Sequence, residues 1–423
     1  MARFAFDISR FVPIGELQVK VGILTFHSQL NYGGVLQCWA LQTKLEKMGH
    51  EAVVVDRWPD ENNSQLERGL DKFSFRQWGR FFVRVILGLG GLAEFLRIRS
   101  TRRFLRDRLR LSPYHFVDWK DAPPDLGVDM LVVGSDQVWH CGDFGDPRVY
   151  FLEDAPDIPA IAYAASFGMT EIPRWVFDGH EDLAAEPIYR KGLGRFNAIS
   201  CREAEGVRMC ETFGFKAEHV IDPTLLLDSG DWDPIVEPAE GLESKMPCLV
   251  CYFMSENVEE SLPFIEKFAA AKKCRVKIFA EFGAGLLPFP SSRARFKKWV
   301  RGLFRRCSGG MAVDASAGPQ QFLQGIADAT WVVSDSFHAL MFSTVFRKNV
   351  RMLKPQTDFR QKMFARIEEF AAHAHGRLVV DDLQQALESF GRGEMVSIDG
   401  QWLESRRRQS EEFLRRNVGQ VVK

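Results

Sequence analysis

The loop after residue 26 carries more hydrogen-bonding side chains than a simple connection between a strand and a helix needs. The stretch TFHSQLNYGGVLQ (25–37) places His27, Asn31 and Tyr32 directly after a six-residue apolar run. In a parallel α/β unit, ligands bind at the carboxyl ends of strands, and free N–H groups at a helix start favour anions. We therefore expect this loop to bind a polar or anionic ligand, with a simple helix cap as the alternative. A dinucleotide site is disfavoured because the G-x-G-x-x-G pattern is absent.

Polar groups follow two further predicted strands in the first half of the chain. The run DMLVV (129–133) leads into GSDQVWH, which contributes Asp136, Gln137 and Trp139. The segment AIAYAASFG (160–168) repeats the arrangement, since small apolar residues are followed by a turn. Several strand ends that deliver polar groups to one edge of a sheet predict a ligand cleft. For Asp136, a role as a turn cap is the alternative.

The second half places a cation and an imidazole in similar positions. A predicted strand ends directly before Arg202, at the start of a helix, where a surface ion pair with Glu203 or Glu205 is the alternative. The segment TWVVSDSFHAL predicts a strand (331–333), a tight turn, and a helix whose first turn holds His338. A buried, hydrogen-bonded histidine is the alternative there. Three residues of the turn can each act as the helix N-cap, namely Ser334, Asp335 and Ser336.

These groups need a parallel α/β scaffold, and the sequence predicts one. The run 21–26 has the composition of a buried strand, and EAVVVD (51–56) has that of a second. Between them lies a helix that Gly49 ends, so residues 21–56 form one βαβ unit. The apolar face of this helix has helical spacing and consists of Cys38, Leu41, Leu45 and Met48.

The length of 423 residues exceeds the size at which a single core usually stops growing, so two domains are expected. We place the first at 1–190, with a basic helical insertion at 73–111. The second spans 191–400, and an amphipathic helix (401–423) closes the chain. The insertion and a second basic segment (291–307) are either solvated helix faces or surfaces that contact anionic lipid or an anionic acceptor.

Composition narrows the class of protein. The 55 basic and 56 acidic side chains balance, which argues against a nucleic-acid partner. The eight cysteines show no ligand-like clustering, and C-x-x-C at 248–251 lies in an apolar run where core packing is expected. No metal-ligand cluster stands out, so no metal is expected. The sequence shows neither a secretion signal nor a membrane span, which predicts a soluble protein of a reducing cytoplasm.

A series of ordered motifs resembles the polysaccharide pyruvyl transferase family between about residues 21 and 418. The motifs are GILTFHSQLNYGGVLQ, VGSDQVW, YAASFG, SCREAEG, VIDPTLLL and VVSDSFHALMFSTVF. The order of SDQVW and DSFH is the most specific feature. His140 stands where the family commonly has Asn, and Ala339 stands where Gly usually follows the histidine. The second departure could narrow the pocket beside His338.

The resemblance implies an α/β fold of two Rossmann-like domains, similar to GT-B glycosyltransferases, with the active site in the interdomain cleft. The donor would be phosphoenolpyruvate, with no other cofactor. Its pyruvyl group would move onto two hydroxyls of a hexose in a polysaccharide precursor, forming a cyclic ketal and releasing phosphate. The acceptor would be a sugar or a lipid-linked oligosaccharide, reached by peripheral contact with the inner face of an anionic membrane.

On this resemblance the second domain binds the donor and the first binds the acceptor. Arg202 offers forked donors to a phosphate or carboxylate, and the helix start after Ser336 favours the other anionic group. His338 would contact the phosphate and protonate it, with Asp136 or His27 orienting the acceptor; acid and base are not uniquely assigned. The expected donor-side residues are Arg202, Ser334, Asp335, Ser336 and His338, and the acceptor-side residues are His27, Asn31, Tyr32, Gln137 and Trp139.

Two alternatives stay open. One is a GT-B glycosyltransferase that uses a nucleotide sugar, and the other is a catalytically silent member that keeps the fold for binding or scaffolding. Protection from heat by a nucleotide sugar, and not by phosphoenolpyruvate, would favour the first of these.

Overall fold

The structure is a computed structural model of the 423-residue chain. It describes most of the chain, in ranges separated by short and long gaps. These ranges are 18–58, 91–140, 146–172, 184–237, 246–254, 258–280, 311–355 and 358–419. Residues 73–90 of the predicted basic insertion and the whole segment 291–307 lie outside the described residues.

The first sheet has seven parallel strands in the order β3-β2-β1-β4-β5-β6-β7. The order reverses between β1 and β4, so the sheet is doubly wound and its polar loops gather at that switch point. Its strands are β1 Lys20–Leu24, β2 Glu51–Arg57, β3 Leu111–Phe116, β4 Met130–Val133, β5 Ala160–Ala165, β6 Ala198–Cys201 and β7 Glu218–His219.

The second sheet has six parallel strands in the order β10-β9-β8-β11-β12-β14. Strands β13 and β15 form a separate antiparallel pair in the same half of the chain. The strands are β8 Cys248–Phe253, β9 Arg275–Ala280, β10 Met311–Asp314, β11 Trp331–Ser334, β12 Asn349–Leu353, β13 Ala374–His375, β14 Val379–Val380 and β15 Ser397–Ile398. Two parallel sheets of this kind confirm the predicted fold class.

The described helices connect and cover the strands. They are α1 Tyr32–Lys47, α2 Gly91–Arg108, α3 Ala185–Leu193, α4 Ala204–Thr212, α5 Val258–Lys272, α6 Pro319–Asp328, α7 Phe337–Val345, α8 Asp358–Ala372, α9 Leu383–Gly391 and α10 Gly400–Val418. Among the residues that the structure describes, no helix is long and apolar enough to cross a membrane.

The sheet pairing corrects the predicted boundary at residue 190. Strands β6 and β7 pair in the first sheet, so Arg202, at the end of β6, belongs to the first sheet and not to the second. The closing helix α10 also returns to the first sheet, where Ser410 Oγ accepts a hydrogen bond from the Ile221 amide at 2.9 Å. The sequence of a four-residue strand such as β6 does not show which sheet the strand joins, because strand pairing depends on residues far away in the chain.

The two sheets share packed side chains rather than facing each other across open solvent. Tyr32, at the start of α1, stacks on Phe322 of α6 with ring centroids 4.5 Å apart, and its hydroxyl donates to the Ala317 carbonyl at 3.1 Å. Arg97 of α2 lies over the same tyrosine ring at 4.6 Å and donates to the Leu30 carbonyl at 2.6 Å. These contacts fix the loop after β1 against the second sheet.

Candidate active site

A buried group of charged side chains lies where the carboxyl ends of the two sheets meet. We call it the cross-sheet cluster, and it consists of Asp136, Arg202, Glu203, Asp222 and His338. The first four belong to the first sheet and its loops, whereas His338 follows β11 of the second. All five residues are buried. The structure thus brings Arg202, Asp136 and His338, which the sequence places far apart, into one site.

Arg202 is the centre of this cluster. Its Nε donates to Glu203 Oε1 at 2.9 Å, and its Nη1 donates to Asp222 Oδ2 at 3.0 Å. Nη2 lies 3.6 Å from Asp136 Oδ1, which is too far for a hydrogen bond. Burial alone would lower the pKa of the guanidinium, but the three carboxylates outweigh burial and hold the pKa above its usual value. Arg202 is therefore charged, and its Nε and Nη1 already donate within the protein.

Asp222 couples Arg202 to the histidine. It precedes a short 3-10 turn, and its Oδ1 accepts from the Thr224 amide at 3.0 Å and the Thr224 hydroxyl at 2.7 Å. Its Oδ2 lies 3.8 Å from His338 Nε2. Burial would raise the pKa of Asp222, yet the charges of His338 and Arg202 and the Thr224 hydrogen bonds hold it below the ordinary value. Asp222 is thus an ionised acceptor facing the imidazole.

His338 occupies the first turn of α7, as the sequence predicts. The N-cap is Ser336, whose side chain makes no capping hydrogen bond. Burial lowers the pKa of His338, and the nearby carboxylates of Asp222 and Asp136 oppose that effect without cancelling it. The ring is therefore neutral near pH 7. Within the described residues its Nε2 has no hydrogen-bond partner.

The turn that carries His338 is braced by its own polar residues. Ser334 Oγ accepts from the Ser336 amide at 3.0 Å and donates to the Tyr252 carbonyl. Asp335 Oδ1 accepts from the Met254 amide at 2.7 Å. The side chains of Ser334 and Asp335 thus tie the turn to the end of β8, and their contact with the donor stays a prediction.

The start of α1 forms the opposite wall of the histidine pocket. Asn31 Oδ1 accepts from the amides of Gly33 at 2.9 Å and Gly34 at 3.2 Å, so it acts as the N-cap. A Cβ atom at Gly33 would lie 2.0 Å from His338 Nδ1, and one at Gly34 would lie 3.4 Å from Asp136 Oδ2. Asn31 therefore has the capping role that the sequence leaves open as an alternative, and the glycines allow α1 to approach the cluster.

Asp136 lies in an unusual backbone conformation at the end of β4. Its φ is 76°, in the left-handed region that non-glycine residues seldom adopt. Its Oδ1 accepts from the Gln137 amide at 2.9 Å, so it caps its own turn as well as facing Arg202. Gln137 Nε2 is buried and has no hydrogen-bond partner in the described part of the chain. Both residues therefore remain candidates for contact with a ligand.

His27 lies apart from this cluster, in a second polar group at the ends of β1 to β3. Its Nε2 pairs with Asp56 Oδ1 at 3.1 Å and its Nδ1 lies 3.3 Å from the Thr25 carbonyl. Trp58 Nε1 donates to the same Asp56 oxygen at 2.5 Å, and His115 Nδ1 lies 3.4 Å from Oδ2. Burial would raise the pKa of Asp56, but His27, Trp58 and His115 hold it below its ordinary value. His27 is fully buried, and both of its ring nitrogens already face protein acceptors.

Two of the residues expected on the acceptor side, Trp139 and Tyr32, are buried by aromatic neighbours. Trp139 is fully buried against Phe151, with ring centroids 5.4 Å apart, and against Phe167 at 5.1 Å. Tyr32 is buried between the sheets, as described above. Both aromatic rings are core residues, because no face of either ring is left to meet a sugar.

Asp222 and Glu203 belong to the site although neither was expected there. The sequence suggests Glu203 only as the partner of Arg202 in a surface ion pair, whereas in the structure this ion pair is buried. Ser166 Oγ also donates to Glu203 Oε1 at 2.9 Å. The signal that points to Asp222 is its motif VIDPTLLL, where a lone acid stands among apolar residues. Among the described residues, no group of three or more His, Cys, Asp or Glu is placed to hold a metal ion.

The family model for polysaccharide pyruvyl transferase matches residues 31–356 of the chain. The match covers more than half of the sequence, so the chain belongs to the polysaccharide pyruvyl transferase family and is a transferase. A comparison with curated protein sequences found no match.

Several solved structures are similar over most of their length at low sequence identity. UDP-GlcNAc 2-epimerase from Methanocaldococcus jannaschii is 11% identical, with 89% of this chain and 92% of that chain covered and a TM-score of 0.46. The Neisseria meningitidis UDP-GlcNAc 2-epimerase, bound to UDP-GlcNAc, is 10% identical, with coverage of 96% and 97% and a TM-score of 0.46. MurG from Acinetobacter baumannii is 9% identical, with coverage of 96% and 98% and a TM-score of 0.37.

Proposed function

We propose that this member of the polysaccharide pyruvyl transferase family moves the pyruvyl group of phosphoenolpyruvate onto two hydroxyls of a hexose in a polysaccharide precursor. The observation that carries the proposal is the pairing of Arg202 with His338 across the two sheets. Each keeps one buried nitrogen, Nη2 and Nε2, without a hydrogen-bond partner in the described part of the chain. Buried polar nitrogens without partners are rare in folded proteins, and a phosphate group, which accepts hydrogen bonds and can itself carry a proton, would satisfy both.

The proposed donor position lies against the start of α7. The Ser336 side chain leaves the first amides of that helix uncapped, so they can donate to an anion and the helix dipole favours it. Arg202 Nη2 and His338 Nε2 then approach the phosphate or the carboxylate from the side. Phosphoenolpyruvate carries both groups on one carbon, C2, which suits two cationic or donor positions in one pocket.

The chemistry follows from the atoms of the donor. A proton adds to the methylene carbon, and a sugar hydroxyl adds to C2. The C2–O bond to phosphate breaks, and a second hydroxyl closes the ketal while the carboxylate stays free. Two hydroxyl protons are released in all; one balances the new methyl group, and the other leaves with phosphate. A positioned acid and a positioned base are therefore required.

His338 suits the step in which phosphate leaves. The neutral ring can accept a proton from a hydroxyl and pass it to the departing phosphate, with ionised Asp222 stabilising the imidazolium that forms in between. Asp136 reaches the cluster from the first sheet and would orient the acceptor hydroxyl. His27 would act indirectly, through its hydrogen bond with Asp56, rather than by touching the acceptor itself.

A thermal-shift screen tests the donor. Phosphoenolpyruvate at 100 times its dissociation constant should add about 2.7 kcal/mol of stability, whereas nucleotide sugars should add little. The opposite pattern would support the nucleotide-sugar glycosyltransferase. Protection by neither would support the catalytically silent alternative. No resident cofactor is proposed.

Two substitutions test the role of His338 in turnover. The readout is phosphate release from phosphoenolpyruvate in the presence of an acceptor. His338→Ala should lower turnover by about 10² to 10⁴, as expected for a lost acid or base. His338→Gln can still donate a hydrogen bond but cannot transfer a proton at a useful rate. Near-parental turnover of His338→Gln would exclude proton transfer and leave the histidine as a phosphate ligand only.

A further inference from the structure

A second arginine lies beside the cross-sheet cluster, close enough for its charge to act on the cluster. Arg366 comes from α8, and its guanidinium carbon lies 4.9 Å from the centre of the Phe337 ring. Arg202 lies over the same ring at 4.6 Å. Two guanidinium groups thus share one aromatic side chain at the start of the helix that carries His338. Residue 366 lies beyond residues 31–356, which the family model matches, so the family assignment does not account for it.

Arg366 differs from Arg202 in having no hydrogen-bond acceptor among the described residues. Its Nε is fully buried without a hydrogen-bond partner, and the described residues offer its guanidinium neither a hydrogen bond nor an ion pair. Burial lowers the pKa of Arg366 to about 10, and the positive charge of Arg202 acts in the same direction, while the more distant carboxylates of Glu203, Asp136 and Asp222 oppose this without cancelling it. A partly buried arginine without an acceptor is unfavourable for folding, because a desolvated charge needs a counter-charge. Its position is explained if a ligand supplies that counter-charge.

The charges already present show which ligand fits. Arg202 is surrounded by three carboxylates, so by itself it offers little net attraction to an anion. With His338 neutral, three carboxylates face one guanidinium in the cluster, and Arg366 removes one of the two excess negative charges that would otherwise repel an anion. An anion that enters this pocket therefore depends on the positive charge of Arg366. In the described chain, no carboxylate lies within ion-pair distance of this arginine.

We infer that Arg366 completes an anion-binding site, with Arg202 Nη2 and His338 Nε2, for a phosphate or carboxylate group of the donor. Its assignment to phosphoenolpyruvate rests on the proposed function, whereas the site itself rests on the three donor groups named here. Arg202 then contributes Nη2 to this site while its Nε and Nη1 hold Glu203 and Asp222 in place. Arg366 is the residue that gains its partner only when the donor binds.

The test compares stability and binding in the same variants. Arg366→Met keeps an unbranched side chain as far as the position of Nε and removes the charge. Without ligand it should melt at a higher temperature than the parent, because an unpaired buried charge is gone. Its affinity for phosphoenolpyruvate should fall by about tenfold or more, since a hydrogen bond to a charged group is lost. Arg366→Lys keeps the charge and should recover part of that affinity. Arg377→Met, at an exposed arginine paired with Asp381 at 3.2 Å, is the matched control and should change neither quantity.

Inorganic phosphate and pyruvate, tested separately by calorimetry, show which half of the donor Arg366 holds. Only the half held by Arg366 should lose affinity in Arg366→Met. If phosphoenolpyruvate binds Arg366→Met as tightly as the parent, the inference is wrong while the proposed donor stands. If phosphoenolpyruvate does not bind the parent but phosphate binds in an Arg366-dependent way, the proposed function fails and the anion site stands. If the parent binds neither anion, both are wrong.

Discussion

Gly33→Ala is expected to disable the site through one methyl group. Gly33 lies in the first turn of α1, and its φ is not in the left-handed region, so alanine meets no backbone strain there. Alanine is favoured over glycine within helices by about 1 kcal/mol, so the helix itself should not be weakened. The added Cβ atom would, however, lie 2.0 Å from His338 Nδ1 and 2.2 Å from Cγ. The effect is therefore confined to the contact between two helices that belong to different sheets.

The size of the effect follows from these distances. To reach an ordinary contact of 3.4 Å, the imidazole must retreat by about 1.4 Å. Because Cγ is among the clashing atoms, a ring flip about the outer bond does not relieve the overlap, and the whole ring must swing away. That movement takes Nε2 away from its position 3.8 Å from Asp222. A displacement of about 1 Å at a reacting group lowers the rate by about 100-fold, which is the loss of turnover we expect.

The assay measures acceptor-dependent phosphate release, together with the His338 pKa by NMR titration. In Gly33→Ala the displaced ring should titrate closer to the ordinary pKa of histidine, because burial is what lowers the pKa of His338 in the parent protein. Gly391→Ala is the control, because no atom lies within 4 Å of a Cβ atom there. The double variant Gly33→Ala/His338→Ala should be no slower than His338→Ala alone, since both changes act through one side chain. Parental turnover and an unchanged His338 titration in Gly33→Ala would refute the reasoning.

Three further expectations concern charge. The pKa of His338 is lowered in the folded protein, so near pH 6.5 the unfolded chain binds a proton that the folded chain does not bind. Stability to urea should therefore fall as pH drops through that value, and it should fall less steeply in His338→Gln. Equal slopes of stability against pH in the two proteins would contradict this. Arg202→Met leaves three buried carboxylates without their guanidinium and should lower the free energy of unfolding by about 3 to 5 kcal/mol, whereas an unchanged urea midpoint would show that the cluster is not held by Arg202. Three arginines along α2 are exposed and should each contribute about 1 kcal/mol to the binding of anionic vesicles at low salt, namely Arg99, Arg103 and Arg106. If the protein sediments equally with neutral vesicles, or if changing all three arginines to Glu has no effect, α2 is an ordinary solvated helix.

Much of the scaffold could be predicted from local patterns in the sequence. The apolar runs at 21–26 and 129–133 correspond to β1 and β4, and Gly49, with φ of 93°, follows the end of α1. The turn before His338 and the closing helix were also expected where the structure has them. These features depend on periodicity and on turn chemistry within a few residues, which a single sequence displays directly. The family motifs added the expectation of two Rossmann-like domains.

Only the tertiary structure decided which residues form the site. Trp139 and Tyr32 look like ligand contacts in a polar loop, but packing against aromatic neighbours makes them core. Arg202 was expected to face an anion from the second sheet; instead it lies on the first, enclosed by carboxylates from three separate loops. Arg366 has no local signal at all, since nothing in the sequence of α8 shows that it meets Phe337. The physical reason is that pairing of strands, burial and charge neutralisation depend on partners tens to hundreds of residues away, whereas the sequence pattern reports only on the immediate surroundings of each residue.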